Sequence, residues 1–162
     1  MEIKMKKFIL TFFILVSFTY GFDKVALKYG YKGSANFYGI ALIENLNYKP
    51  FDIFNLSFEF SGEYAEYKND DMYILSLQPL LDYNLIGDLY LEGGLGIAYL
   101  SEKYLDHKEF GMHFQFKESI GFLYKFNDKM DASLKYNHYS NANLNSKNSG
   151  IDFIGLQFNY KF

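Results

Sequence analysis

Cysteine is absent from the 162 residues, which excludes disulfide staples and thiol chemistry. Proline occurs only at Pro50 and Pro79, so long extended runs go almost uninterrupted by a residue that cannot donate to a β-ladder. Arginine is missing too: every basic residue is a lysine, and no basic patch or nucleic-acid motif is formed. Nucleic acid is therefore excluded as an expected partner. Past the N-terminus no stretch approaches the ~20 apolar residues that a membrane helix needs.

The longest apolar run, Phe8–Phe18, covers only eleven residues. It follows three lysines within 1–7 and precedes Thr19-Tyr20-Gly21. That order is the one expected of a secretory signal peptide over 1–21, cleaved after Gly21. The 141 residues from 22 to 162 suit one domain. Of 16 lysines and 19 acidic residues, three and one fall in 1–21, leaving 13 and 18 and a net charge of −5. An exported chain without helical spans is either a soluble protein or a membrane β-barrel.

What the chain has in quantity is tyrosine (16) and phenylalanine (18), which favour strands and suit aromatic girdles at two membrane interfaces. Eight segments alternate with period two, at about 24–32, 36–47, 52–64, 72–83, 88–99, 111–126, 129–140 and 151–162. The third sets Phe54, Leu56, Phe58 and Phe60 against Asn55, Ser57, Glu59 and Ser61. The seventh sets Met130, Ala132, Leu134 and Tyr136 against Asp131, Ser133, Lys135 and Asn137. Connections two, four and six (48–51, 85–87, 127–128) read as short turns. Connections three, five and seven (66–71, 101–110, 141–150) read as longer and polar. Short turns at one end and long loops at the other are the pattern of an eight-stranded antiparallel transmembrane β-barrel. A soluble lipocalin-like barrel would show the same alternation with its apolar face inward. In a membrane barrel of this size the lumen is filled by side chains, here expected to include Lys117, Lys125, Lys135, Lys161, Glu59 and Glu92. Function must then lie on the outer wall, in the loops, or nowhere.

The stretch Tyr136-Asn137-His138-Tyr139-Ser140-Asn141 and the later Gly150-Ile151-Asp152 hold a base, a nucleophile and an acid. Residues two apart on a strand share a face, so His138 and Ser140 point the same way. A hairpin can bring Asp152 opposite His138. All three continue the apolar parity of their strands, which places them on the lipid-facing wall near the external ends. Ionisable groups there are usually functional. Ser140 as nucleophile, His138 as base and Asp152 as its orienting carboxylate would cleave an acyl ester of an outer-leaflet lipid. Asn141, by side chain or amide, is the expected oxyanion donor. No cofactor or metal is expected. Other readings stay open on the residues alone: a non-enzymatic barrel serving as anchor or adhesin, or an outer-membrane phospholipase.

His-Tyr-Ser-Asn-Ala, a polar loop, then Asn148-x-Gly150-Ile151-acid resembles the C-terminal hairpin of the PagL-type lipid A 3-O-deacylases of the bacterial outer membrane. The resemblance is tightest over 136–153. It implies a serine esterase that removes the 3-O-linked 3-hydroxyacyl chain of lipid A, with homodimerisation as a further expectation. Two residues depart from the family pattern. Asp152 stands where its better-known members carry glutamate, and Asn143 where they carry glycine. Elsewhere, Glu118 falls in the apolar register of the sixth segment, where a β-bulge turning it inward is expected. His107 and His113 are expected to be solvated. Gly93, Gly94 and Gly96 are expected to ease curvature or packing rather than hold phosphate, since no helix follows them.

Overall fold

The computed structural model describes residues 21–162, so the expected signal segment lies outside the described residues except for Gly21. The chain runs through β1 (Lys24–Lys32), β2 (Ala35–Leu46), β3 (Phe54–Tyr67), β4 (Asp70–Ile86), β5 (Leu89–Leu100), β6 (Tyr104–Leu105), β7 (Lys108–Glu109), β8 (Phe114–Lys125), β9 (Met130–Ser140) and β10 (Ile151–Lys161). Eight of these strands close an antiparallel barrel in the order β1-β10-β9-β8-β5-β4-β3-β2, while β6 and β7 pair only with each other. The eight alternating segments of the sequence are the eight barrel strands.

Burial shows which face each alternation presents. On the outer wall Leu75, Leu95, Ile120, Phe122, Leu134 and Ile154 are 52–60 % exposed. Their polar neighbours in sequence are buried inside. A soluble barrel would have the reverse arrangement, and a continuous apolar exterior of this extent belongs in lipid.

The lumen is held by ion pairs that share carboxylates. Glu59 accepts from Lys28 and Lys117 at 2.9 Å each and from Gln157 at 3.1 Å, with Lys135 at 3.6 Å. Lys28 also reaches Glu63 at 2.7 Å, and Lys135 reaches Glu92 at 2.8 Å. Of the expected fillers, Lys117, Lys135, Glu59 and Glu92 are buried here. Lys125 and Lys161 are not. They end β8 and β10, where the lumen opens, and Lys125 lies over the Tyr90 ring while Lys161 is exposed. Glu59→Leu would leave three lysines facing one another without their shared acceptor. Breaking a buried pair on one side costs about 3–5 kcal/mol, so a matching fall in unfolding free energy is expected from urea titration in detergent.

Two connections differ from expectation. β3 and β4 continue to within two residues of each other, so connection three is only Lys68-Asn69. Their extension is stabilised by Ala65 and Met72, which point inward and join a buried apolar cluster with Phe37, Ile74, Leu100, Phe110, Tyr139 and Phe153. At the opposite end connection two, 47–53, is lengthened by a 3-10 turn at Pro50–Asp52. The contrast in length therefore rests on connections five and seven. Gly94 and Gly96 serve packing: a Cβ on either would lie 2.3 Å from a backbone oxygen of β4.

Candidate active site

β9 and β10 form the hairpin that carries the three candidate residues. The register pairs Asp152 with His138, Ile154 with Tyr136 and Leu156 with Leu134. Since Leu134, Tyr136, Ile154 and Leu156 are exposed on the outer wall, the strand alternation puts His138, Ser140 and Asp152 on that wall as well. His138 Nδ1 and Asp152 Oδ1 lie 2.6 Å apart. Both side chains are about three-tenths exposed, at 30 and 27 %. A ring bonded through Nδ1 keeps Nε2 free. The Cε1 edge faces the top of the hairpin, 3.3 Å from where a Cβ on Gly150 would stand. Gly150 also has φ +63°, so two constraints favour glycine there.

The carboxylate of Asp152 has two further partners. Tyr136 donates its hydroxyl to Oδ1 at 2.6 Å, and Lys32 donates to Oδ2 at 2.9 Å. Three donors on one carboxylate fix its plane and so fix the imidazole. Lys32 is half exposed, which limits the value of its pair to about 1 kcal/mol or less. Lys32→Met is accordingly expected to lower turnover only about two- to fivefold, as read from initial rates at saturating substrate.

Ser140 ends β9, two residues beyond His138 on the same face, opposite Phe116 of β8. Its hydroxyl makes no hydrogen bond among the described residues. Behind it connection seven turns sharply: Ala142 and Asn143 both adopt left-handed conformations, φ +50° and +62°. Asparagine is among the non-glycine residues that tolerate this region best, so Asn143 suits the left-handed turn.

Asn141 has a different place from the one expected. Its side-chain amide donates to Phe110 O at 2.8 Å and Lys147 O at 2.7 Å, and its backbone N–H donates to Asn148 Oδ1 at 3.0 Å. The residue is fully buried. Every N–H of Asn141 is thus taken, and its work is to bind connection seven to connection five. Ser149 N to Glu109 O (3.1 Å) and Lys108 Nζ to Gly150 O (3.0 Å) join the same two loops. Gly111 is required at this contact: its φ is +74°, and a Cβ there would stand only 2.3 Å from Lys147 O.

Glu118 also departs from expectation. The β5–β8 and β8–β9 ladders run through it without a bulge, pairing it with Leu95 and His138. It therefore stays exposed on the outer wall beside the imidazole. His107 is 78 % exposed and bonds Asp106, whose carboxyl it holds below its ordinary value. His113 is less solvated than expected: its Nδ1 lies 2.8 Å from Leu100 O and its ring stacks on Tyr99.

Lys32 and Tyr136 are site residues that the sequence alone did not single out. Tyr136 had a signal, lying two residues before His138 on its face. Lys32 is 120 positions from Asp152 and meets it because closure of the barrel sets β1 beside β10. A cavity of about 300 Å³ opens at the rim beside Lys32 and Asp152, walled by Phe37, Tyr67, Leu105 and Ile151. Neither His138 nor Ser140 lines it. Both lie on the outer wall instead.

A family model described as lipid A 3-O-deacylase (PagL) matches residues 30–161. The lipid A deacylase PagL of Bordetella bronchiseptica is 33 % identical over 73 residues, which are 45 % of this chain and 41 % of that protein. The Pseudomonas aeruginosa lipid A deacylase PagL is 32 % identical over 85 residues, 51 % of this chain and 49 % of that one. These matches span less than half the length of either relative. Among solved structures, the crystal structure of the outer membrane enzyme PagL superposes with a TM-score of 0.73 at 24 % identity, covering 86 % of this chain and 99 % of the other. The N-terminal β-barrel domain of Pseudomonas aeruginosa OprF superposes with a TM-score of 0.59 at 18 % identity, covering 88 and 99 %. At these identities the superpositions speak to the barrel fold.

Proposed function

The chain belongs to the PagL family of lipid A 3-O-deacylases, and from that premise we propose that it is an outer-membrane serine esterase releasing the 3-O-linked hydroxyacyl chain of lipid A. The observation that carries the reading is the 2.6 Å bond between His138 and Asp152 on the outer wall, with Ser140 on the same face one step nearer the rim. An outer-leaflet lipid reaches such a site sideways from the membrane, with its sugar at the rim and its chains along the wall.

Ser140 Oγ attacks the ester carbonyl carbon while His138 Nε2 takes its proton. Asp152 holds the neutral tautomer with the proton on Nδ1 and stabilises the imidazolium that forms. The carbon–oxygen bond to the sugar breaks, and the sugar oxygen leaves with the proton returned by His138. Water, deprotonated by the same imidazole, then cleaves the acyl-enzyme to a free 3-hydroxy fatty acid. The backbone N–H groups of Ala142 and Asn143 are the oxyanion donors in this scheme. They follow the nucleophile closely, lie in the left-handed turn and bond nothing else among the described residues. Such donors act where charge develops, and losing one costs about 10²–10³ in rate.

Mass spectrometry of lipid A from Gram-negative cells expressing the chain tests the reading. One ester-linked hydroxyacyl unit fewer than in vector controls is the expected result. Lysophospholipid with unchanged lipid A would move the activity to glycerophospholipid esters. No change in either lipid would leave a barrel without this enzymatic role.

A further inference from the structure

From the position of Glu118 we infer that it is the specificity residue of this site, accepting a hydrogen bond from the β-hydroxyl of the bound acyl chain; the inference rests on the proposed Ser140 esterase. On the outer face of the β8–β9 ladder the cross-strand pairs descend as Phe116–Ser140, Glu118–His138, Ile120–Tyr136, Phe122–Leu134 and Tyr124–Ala132. Ser140 lies on the topmost rung, and the apolar belt begins two rungs below. An acyl group held on Ser140 must therefore run down this face to reach lipid. It passes the Glu118–His138 rung first, then the open side chains of Ile120, Tyr136, Phe122 and Leu134.

The spacing fits a hydroxyl on the third carbon. Residues two apart on a strand are separated by about 6.7 Å, so Glu118 is the diagonal neighbour of Ser140, within reach of a long side chain. An acyl carbonyl bonded to Ser140 Oγ carries its β-hydroxyl two carbons further along that path. No other outward-facing polar group on β8 stands there: Phe116 and Ile120 flank Glu118 on its own strand, and Leu95 faces it from β5. Glu118 makes no ion pair and no hydrogen bond among the described residues, whereas Asp152, on the other side of His138, has three donors. A carboxylate without a partner at the edge of the lipid belt is costly. A donor arriving with the substrate removes that cost, and an unhydroxylated chain leaves it in place. The discrimination comes from the unsatisfied acceptor as much as from the bond itself.

The test uses the chain folded in detergent, with matched p-nitrophenyl esters of 3-hydroxydodecanoic and dodecanoic acid. Wild type is expected to favour the hydroxylated ester in kcat/KM by roughly ten- to hundredfold. Glu118→Leu is expected to bring the ratio close to one, lowering kcat/KM on the hydroxylated ester and raising it on dodecanoate. Glu118→Gln, which keeps a carbonyl acceptor, retains part of the preference. Heat-modifiable migration on gels confirms that each variant is folded, and leucine continues the apolar belt. A ratio unchanged in Glu118→Leu, an equal fall for both esters, or no preference in wild type would overturn the assignment. Failure of the underlying reading looks different: wild type would cleave neither ester, or Ser140→Ala would cleave both.

Discussion

Ser140→Ala is expected to lower hydrolysis of the proposed lipid ester by at least about 10⁴-fold in kcat/KM, measured on lipid A in mixed micelles, and to leave the barrel folded. The hydroxyl makes no hydrogen bond within the described protein, so its loss leaves no buried group unsatisfied and costs little stability. That separation makes the variant informative. The fold depends on lumen pairs such as Lys28–Glu59 and Lys135–Glu92, and none of them touches β9's outer face. A parallel fall in activity and stability would mean that Ser140 serves the wall rather than the chemistry.

Asp152→Asn is expected to have the second largest effect, a fall of about 10³–10⁴ in turnover. An amide can donate to the imidazole where the carboxylate accepts, which favours the tautomer with the proton on Nε2 and turns the base away from Ser140. It also deprives Lys32 of its ion pair and Tyr136 of a charged acceptor. Asp152→Glu restores the residue that the better-known family members use, and it should keep activity within about tenfold, because the ladder pairing with His138 leaves room on the open wall for one methylene. The pair of variants separates charge from reach. If Asp152→Asn retained more than a tenth of wild-type turnover, the His138–Asp152 bond would be structural.

Much of this was legible in the chain because a barrel strand writes its two environments in alternate letters. Met130 to Ser140 shows lipid and lumen in turn, so parity alone put His138 and Ser140 outside and Lys135 and Asn137 inside. The same parity put Glu118 outside. The inward bulge expected for it came from the rule against carboxylates in lipid, and the unbroken ladder shows that the rule yielded here. What alternation could not reveal was anything set by closure or by loops. Lys32 reaches Asp152 only because the first and last strands meet. The hairpin of Tyr104–Leu105 and Lys108–Glu109 is too short to have a period. Asn141 stands in the right place for an oxyanion donor by sequence, yet Phe110 and Lys147 take its side-chain amide. Those carbonyls belong to loop packing, which no spacing rule encodes.

An activated serine on the lipid-facing wall is tested most directly by covalent labelling. The folded barrel is treated with a long-chain alkyl fluorophosphonate and digested, and the modified peptide is identified by mass. A single adduct on Ser140 is expected, absent from Ser140→Ala and strongly slowed in His138→Ala. An unlabelled Ser140 in a barrel that still deacylates lipid A, or labelling that His138→Ala leaves at the wild-type rate, would contradict it.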